Sequence, residues 1–226
     1  MRLVIIIAVF ATACATSSGA LSSGVPPMDT TANPIVQTGH PVLRARAKDV
    51  TPEQIATPDF QALIVRMTDA MRKAPGVGLA APQLGVSLRV LVLEDRPELQ
   101  VSLTPPELEE RERKPVPLRV FINPTLTPIG EERATFFEGC LSVAGYAALV
   151  ERWKEVEVSG LDEKGQPQTW RVRGWPARIL QHEVDHLEGT LYIDRMISRS
   201  FGTLPQVKAL YGGKPIAEVK PLFERH

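Results

Sequence analysis

The string His182-Glu183-Val184-Asp185-His186 constrains this chain more than any other five residues in it. It lies inside Pro176 to Gly189, where Ala177, Ile179, Leu180, Val184 and Leu187 supply an apolar face and Gly189 a stop, the pattern of an amphipathic helix. On a helix, residues four apart share a face, so two imidazoles can converge on one metal ion with Glu183 beside them. Chance strings of this form occur without any metal, but two of the chain's four histidines fall here, flanked by apolar residues. A hydrolytic metal needs at least one more protein ligand and an open position. Cys140, in Glu138-Gly139-Cys140-Leu141-Ser142-Val143, is the candidate; the bland alternative is a buried free thiol. A metal-bound Cys140 would be a thiolate. Copper electron-transfer sites also use two His and a Cys, but they do not call for a Glu next to a ligand on a helix, so hydrolysis fits better.

The remainder of the chain reads as one domain of α+β class. At 226 residues it is long enough for one substantial core. Ile35-Val36-Gln37 reads as a short strand, and His40 belongs to a turn as a surface or capping residue. Thr57-Pro58-Asp59 opens a helix whose Phe60, Leu63, Ile64, Met67 and Met71 recur at three- and four-residue steps, and Pro75-Gly76 ends it. Strands follow at Leu88–Leu93, Leu118–Ile122, Lys154–Ser159 and Gln168–Val172, with Asp162–Gly165 as a hairpin signal and Asn123-Pro124 as a turn. Arg96 to Pro117, polar and Pro-rich, reads as an exposed insertion. The run Gly76-Val77-Gly78-Leu79-Ala80-Ala81-Pro82-Gln83-Leu84-Gly85 is either an ordinary glycine-rich connection or a place where another backbone approaches closely.

Charge excludes one class of partner. Lys plus Arg and Asp plus Glu both total 26, so nothing favours phosphate backbones, and no nucleic-acid partner is expected. Residues 1–14 resemble a targeting leader: Arg2, an apolar run through Phe10, then small residues into Cys14, in the manner of a bacterial lipoprotein signal. Residues 15–33 are rich in Ser, Thr, Gly and Pro and read as a flexible tether, leaving 34–226 as the catalytic domain. Two readings follow. Processing at Cys14 would make a membrane-anchored lipoprotein, whereas a start near Met28 would make a cytoplasmic protein without a membrane partner.

Three segments, Gly76 to Gln83, Glu138 to Val143 and Gln181 to Gly189, resemble in order and spacing the signature motifs of peptide deformylases. The likeness runs from about Pro34 through Phe201. It extends to the mitochondrial and plant type through Ser159-Gly160-Leu161-Asp162 and Gly174-Trp175-Pro176-Ala177-Arg178. The resemblance implies an α+β domain, small mixed or antiparallel sheets packed around a C-terminal metal-binding helix. It implies that Cys140, His182 and His186 bind one divalent ion, with ferrous iron first and zinc, nickel or cobalt as alternatives. It makes Glu183 the acid/base, gives the oxyanion to Gln83 and the Leu141 amide, and gives the substrate to Val77, Gly78, Glu138 and Trp175. The partners would be N-formylmethionyl peptides of nascent chains. Ala144 stands where bacterial relatives commonly have proline, and Ala147 where many have an arginine that helps hold the peptide. Arg152 matches a family arginine, with an ion pair to Asp185 as one role open to it. A zinc endopeptidase with a distant third ligand, and a lipid-anchored protein with the same fold but no turnover, are the rival readings.

Overall fold

A computed structural model describes residues 35–224. The leader, Cys14, the tether, Met28 and Pro34 therefore lie outside the described residues.

The strands are β1 Gly78–Ala80, β2 Val90–Asp95, β3 Val116–Pro128, β4 Arg133–Cys140, β5 Val143–Trp153, β6 Glu155–Leu161, β7 Pro167–Arg173 and β8 Gly202–Thr203. The α-helices are α1 Pro52–Ile55, α2 Pro58–Lys73, α3 Pro105–Glu110, α4 Trp175–Leu187, α5 Leu204–Tyr211, α6 Ile216–Val219 and α7 Pro221–Glu224. Five strands form one antiparallel sheet in the order β1-β2-β3-β6-β7, and β4-β5-β8 form a second. The expected α+β class is observed, and both sheets are antiparallel.

Strand β2 shows why the larger sheet is packed on both faces. Its residues Val90-Leu91-Val92-Leu93 are all buried. Alternate side chains on a strand point to opposite faces. Val90 and Val92 accordingly meet Phe60, Leu63, Met67 and Met71 of α2. Leu91 and Leu93 meet Ala177, Leu180 and Leu187 of α4 on the other side. The continuous apolar run is what a strand buried on both faces requires. Helix α2 starts at Thr57, whose side chain accepts a hydrogen bond from Phe60 N, and ends with Arg72 and Lys73 in its last turn.

Three local expectations are corrected. Ile35–Gln37 forms no strand: Val36 N bonds to Gln83 O at 2.9 Å and Thr38 N to Ser142 O at 2.7 Å, so its backbone bonds go to two different segments and build no ladder. The segment instead laces the glycine-rich run to the cysteine loop. Asn123-Pro124 is a bulge inside β3 rather than a turn, with Asn123 at φ 51° and a register shift between Ile122 and Thr125. Proline is tolerated there because a bulge leaves it outside the ladder. The insertion is not exposed throughout, since Arg111, Glu112 and Arg113 are half-buried against the start of α4.

The C-terminal segment, which carries no motif, packs back on the smaller sheet. Tyr211 stacks on Phe137 of β4 at 5.8 Å, and Phe223 meets both rings edge-on. Among the described residues no helix is long and apolar enough to cross a membrane.

Candidate metal centre

Helix α4 starts at Gly174, whose φ of 73° and missing side chain admit the chain reversal out of β7, with Pro176 in the first turn. Its apolar face is fixed against β1 and β2, which turns His182 and His186 toward the end of β4. There the register shifts between Gly139 and Cys140, and a bulge of this kind re-aims the side chain that follows it. Cys140 Sγ lies 3.3 Å from His186 Nε2, and donor atoms of Cys140, His182 and His186 all fall within 4.8 Å of one another. With metal–sulfur near 2.3 Å and metal–nitrogen near 2.0–2.1 Å, a tetrahedral site would separate S and N by about 3.5 Å, so these residues fit a single ion. Ser142 N at 3.4 Å and Gln83 Nε2 at 3.6 Å both point at the sulfur, as a thiolate would have them.

The histidines are held by different means. His182 places Nδ1 3.0 Å from Glu138 Oε2, which leaves Nε2 as the nitrogen available to a metal. The Glu138 carboxylate also binds Arg152 through Nε at 3.0 Å and Nη2 at 2.9 Å, and Arg178 at 2.6 Å. Arg152 bridges onward to Asp185, which takes a two-pronged contact from Arg195 at 2.8 Å. Burial opposes the charge on Glu138, but Arg152 and His182 outweigh it and hold its carboxyl well below the usual range. Tyr192, 1% exposed, stacks on His182 at 6.1 Å. His186 is fully buried, its Nδ1 has no hydrogen-bond partner, and burial pushes its pKa well down, keeping the ring neutral as a ligand must be.

Glu183 lies beside this cluster, 4% exposed, with Oε2 buried and unpartnered. Burial pushes its carboxyl up to about 7, within the range useful for moving protons near neutrality. A Cβ at position 78 would sit 2.3 Å from Glu183 Oε1, so only glycine there leaves room for the carboxylate. Gln83 is 2% exposed; its Oε1 accepts from Ala80 N at 2.9 Å, which fixes the amide with its NH₂ toward Cys140 and Ser142.

A groove of about 640 Å³ opens over these groups, with Val77, Gly78, Leu141, Trp175 and Ile179 in its walls. Strand β1 forms one wall and is an edge strand of the larger sheet. All ten residues singled out from the sequence thus border one site. Glu138 lines the groove, but its carboxylate is occupied by Arg152, Arg178 and His182. Its part in orienting His182, and the participation of Arg178 and Tyr192, were not anticipated. A carboxylate two residues before the cysteine on β4 was the available signal for the first; nothing local announced the others.

A family model described as polypeptide deformylase matches residues 32–201. The chain is 49% identical over 170 residues to the chloroplastic peptide deformylase 1A of Solanum lycopersicum, covering 75% of this chain and 61% of that protein. It is 47% identical over 167 residues to the mitochondrial peptide deformylase of Homo sapiens, covering 74% and 69%. Among solved structures, the Met-Ala-Ser-bound class I type b peptide deformylase of Acinetobacter baumannii superposes with a TM-score of 0.64 at 31% identity, covering 73% of this chain and 98% of that one.

Proposed function

The chain belongs to the polypeptide deformylase family, metal-dependent hydrolases, and from that membership we propose that it removes the formyl group from N-formylmethionyl peptides. The observation that carries this reading is the convergence of Cys140, His182 and His186 with a buried, protonatable Glu183 alongside. An endopeptidase would draw its third ligand from a distant His or Glu, whereas among the described residues the third member of the cluster is Cys140.

Cys140, His182 and His186 would hold the ion. When bound there, a divalent cation would supply Lewis acidity toward water and the formyl oxygen. The peptide lies as an added strand along Val77-Gly78 at the free edge of β1, which presents its formyl end to the cluster. Glu183 takes a proton from the attacking water and returns it to the amide nitrogen as the C–N bond breaks, leaving formate and a free amine. Charge gathering on the formyl oxygen needs donors already in place, and Gln83 Nε2 and the Leu141 N–H supply them. The donor set suits iron, zinc, cobalt or nickel, and ferrous iron is proposed from the resemblance to peptide deformylases alone. The physiological substrates would be nascent chains, so the cytoplasmic start near Met28 is the form that would meet them. Mass determination of the mature protein separates that start from one at Cys14.

The test is deformylation of a formyl-Met tripeptide by protein loaded with ferrous iron or nickel without oxygen, beside Glu183→Ala. Turnover that requires Glu183 supports the proposal. Absence of turnover at one metal per chain would favour a non-catalytic protein with this fold.

A further inference from the structure

The insertion between β2 and β3 ends in a turn that presses on the first residues of α4. Glu112 adopts φ 47°, a left-handed conformation that costs a non-glycine residue energy unless its surroundings impose it. The surroundings are explicit. Lys154 Nζ reaches the Glu112 carboxylate at 2.9 Å and Arg173 Nε at 3.0 Å. A Cβ on Gly174 would meet Glu112 Cβ at 2.4 Å and Glu112 O at 2.8 Å, so the turn seats directly on the glycine that opens the helix.

The residues on either side of Glu112 both reach the neighbouring indole. The Arg111 guanidinium lies 5.4 Å and that of Arg113 5.2 Å from the Trp175 ring centroid, while Phe136 meets the ring edge-on at 6.2 Å. Arg113 is itself locked by a two-pronged pair with Asp95, which is 0% exposed, at 2.7 and 2.9 Å. Arg111 has no such partner on its Nε, which is buried and unsatisfied. With Arg178 of α4 itself at 5.9 Å, three guanidiniums crowd one indole and restrict where the ring can go, and two of them come from the turn. That ring is a wall of the groove above Glu183.

We propose that the Arg111–Arg113 turn of the insertion sets selectivity for the substrate's first side chain by holding Trp175 as the wall of the slot. Arg111 is a positioning residue that acts through the ring, whereas Arg113 both holds the ring and lines the groove itself. This rests on the deformylase reading of the site. A long side chain such as methionine or norleucine reaches the wall, whereas alanine ends short of it. The turn therefore acts on the ratio between long and short first residues.

The experiment compares formyl-Met-Ala-Ser, formyl-norleucyl-Ala-Ser and formyl-Ala-Ala-Ser on the nickel-loaded full chain. Arg111→Met is the first variant, because it keeps the aliphatic cover and gives up only a 3.8 Å ion pair to Glu107, whose carboxylate stays bonded to Thr104. Arg113→Met combined with Asp95→Asn is the second, because it leaves no unpaired charge buried. The expected result is a five- to tenfold fall in the Met-to-Ala ratio of kcat/KM, carried by KM for the long substrates. Arg111→Lys, which keeps a cation over the ring, should recover about half of the fall on a logarithmic scale. Calorimetric binding of the products Met-Ala-Ser and Ala-Ala-Ser should show the same change of ratio without any turnover. A ratio within twofold of wild type in variants that melt like wild type, or an equal loss for both peptides, overturns the proposal. Failure of wild type to turn over any substrate while still binding Met-Ala-Ser selectively would sink the deformylase reading and leave the wall intact.

Discussion

Two regions of this molecule are equally buried and built from opposite chemistry. Beneath α2, Phe60, Leu63, Met67 and Met71 meet Val90, Val92, Val120 and Ile122, and the space is filled by hydrocarbon. Between α4 and the β4–β5 hairpin, Glu138, Arg152, Arg178 and Asp185 are each less than 10% exposed and satisfy one another with charge. The first region needs only volume and a periodic sequence. The second gains little net stability, since removing ions from water roughly cancels their attraction. What it gains is direction: each carboxylate oxygen and guanidinium nitrogen accepts few geometries, and His182 Nδ1 is tied to one of them. The difference predicts that damage to the apolar region is read in stability alone, whereas damage to the polar region is read in metal binding and turnover as well, and in stability where it leaves a buried charge without its partner.

The largest effect should come from a group in neither category. Glu183→Gln keeps the shape of the side chain and removes its ability to carry a proton, so kcat should fall by about 10²–10⁴ with full metal content. Its melting temperature should stay within a few degrees of wild type, because Glu183 Oε2 makes no hydrogen bond to lose. A variant keeping most of its turnover would remove Glu183 from the chemistry. Next comes Arg152→Met, which leaves Glu138 and Asp185 buried without their shared partner and should cost about 3–5 kcal/mol in denaturant unfolding. If the polar region is there for geometry, adding Glu138→Gln to that variant restores stability but not metal affinity. Recovery of both would mean that charge balance alone mattered.

On the apolar side, Met67→Ala should destabilise by about 2–5 kcal/mol. The folded fraction should keep its kcat/KM, and a matching loss of activity would show that the two regions are coupled. The same contrast explains what the sequence disclosed. Helix α2, strand β2 and helix α4 were legible because burial writes a period into the residues that make them. The clustering of Cys140, His182 and His186 was legible because a site able to hold a metal allows few residue types. Arg178 and Tyr192 were not, since their partners lie far away in the chain and an arginine or tyrosine on an amphipathic segment has many uses. Ile35–Gln37 was misread for a related reason: short apolar runs look alike whether they enter a ladder or, as here, lace two loops together. Residues 111–113 were hidden inside a polar, Pro-rich stretch whose composition resembled that of a surface loop.

The smallest of these effects is also the sharpest test of the comparison. Glu138→Gln retains an oxygen that can accept from His182 Nδ1, so the ring need not move, but it removes the negative charge shared by Arg152, Arg178 and His182. A carboxylate behind a ligating imidazole raises the basicity of the nitrogen on the far side, and its loss typically weakens metal binding about 10- to 100-fold. That range is expected for nickel or cobalt held against a competing chelator, with kcat at saturating metal reduced far less than in Glu183→Gln. Unchanged affinity would reduce Glu138 to a counter-ion for two arginines, and the buried polar region would then be an electrostatic filler on the same footing as the hydrocarbon under α2. A loss matching that of Cys140→Ala would instead mean that His182 leaves the cluster when the charge behind it goes, making the network a condition for the site's existence.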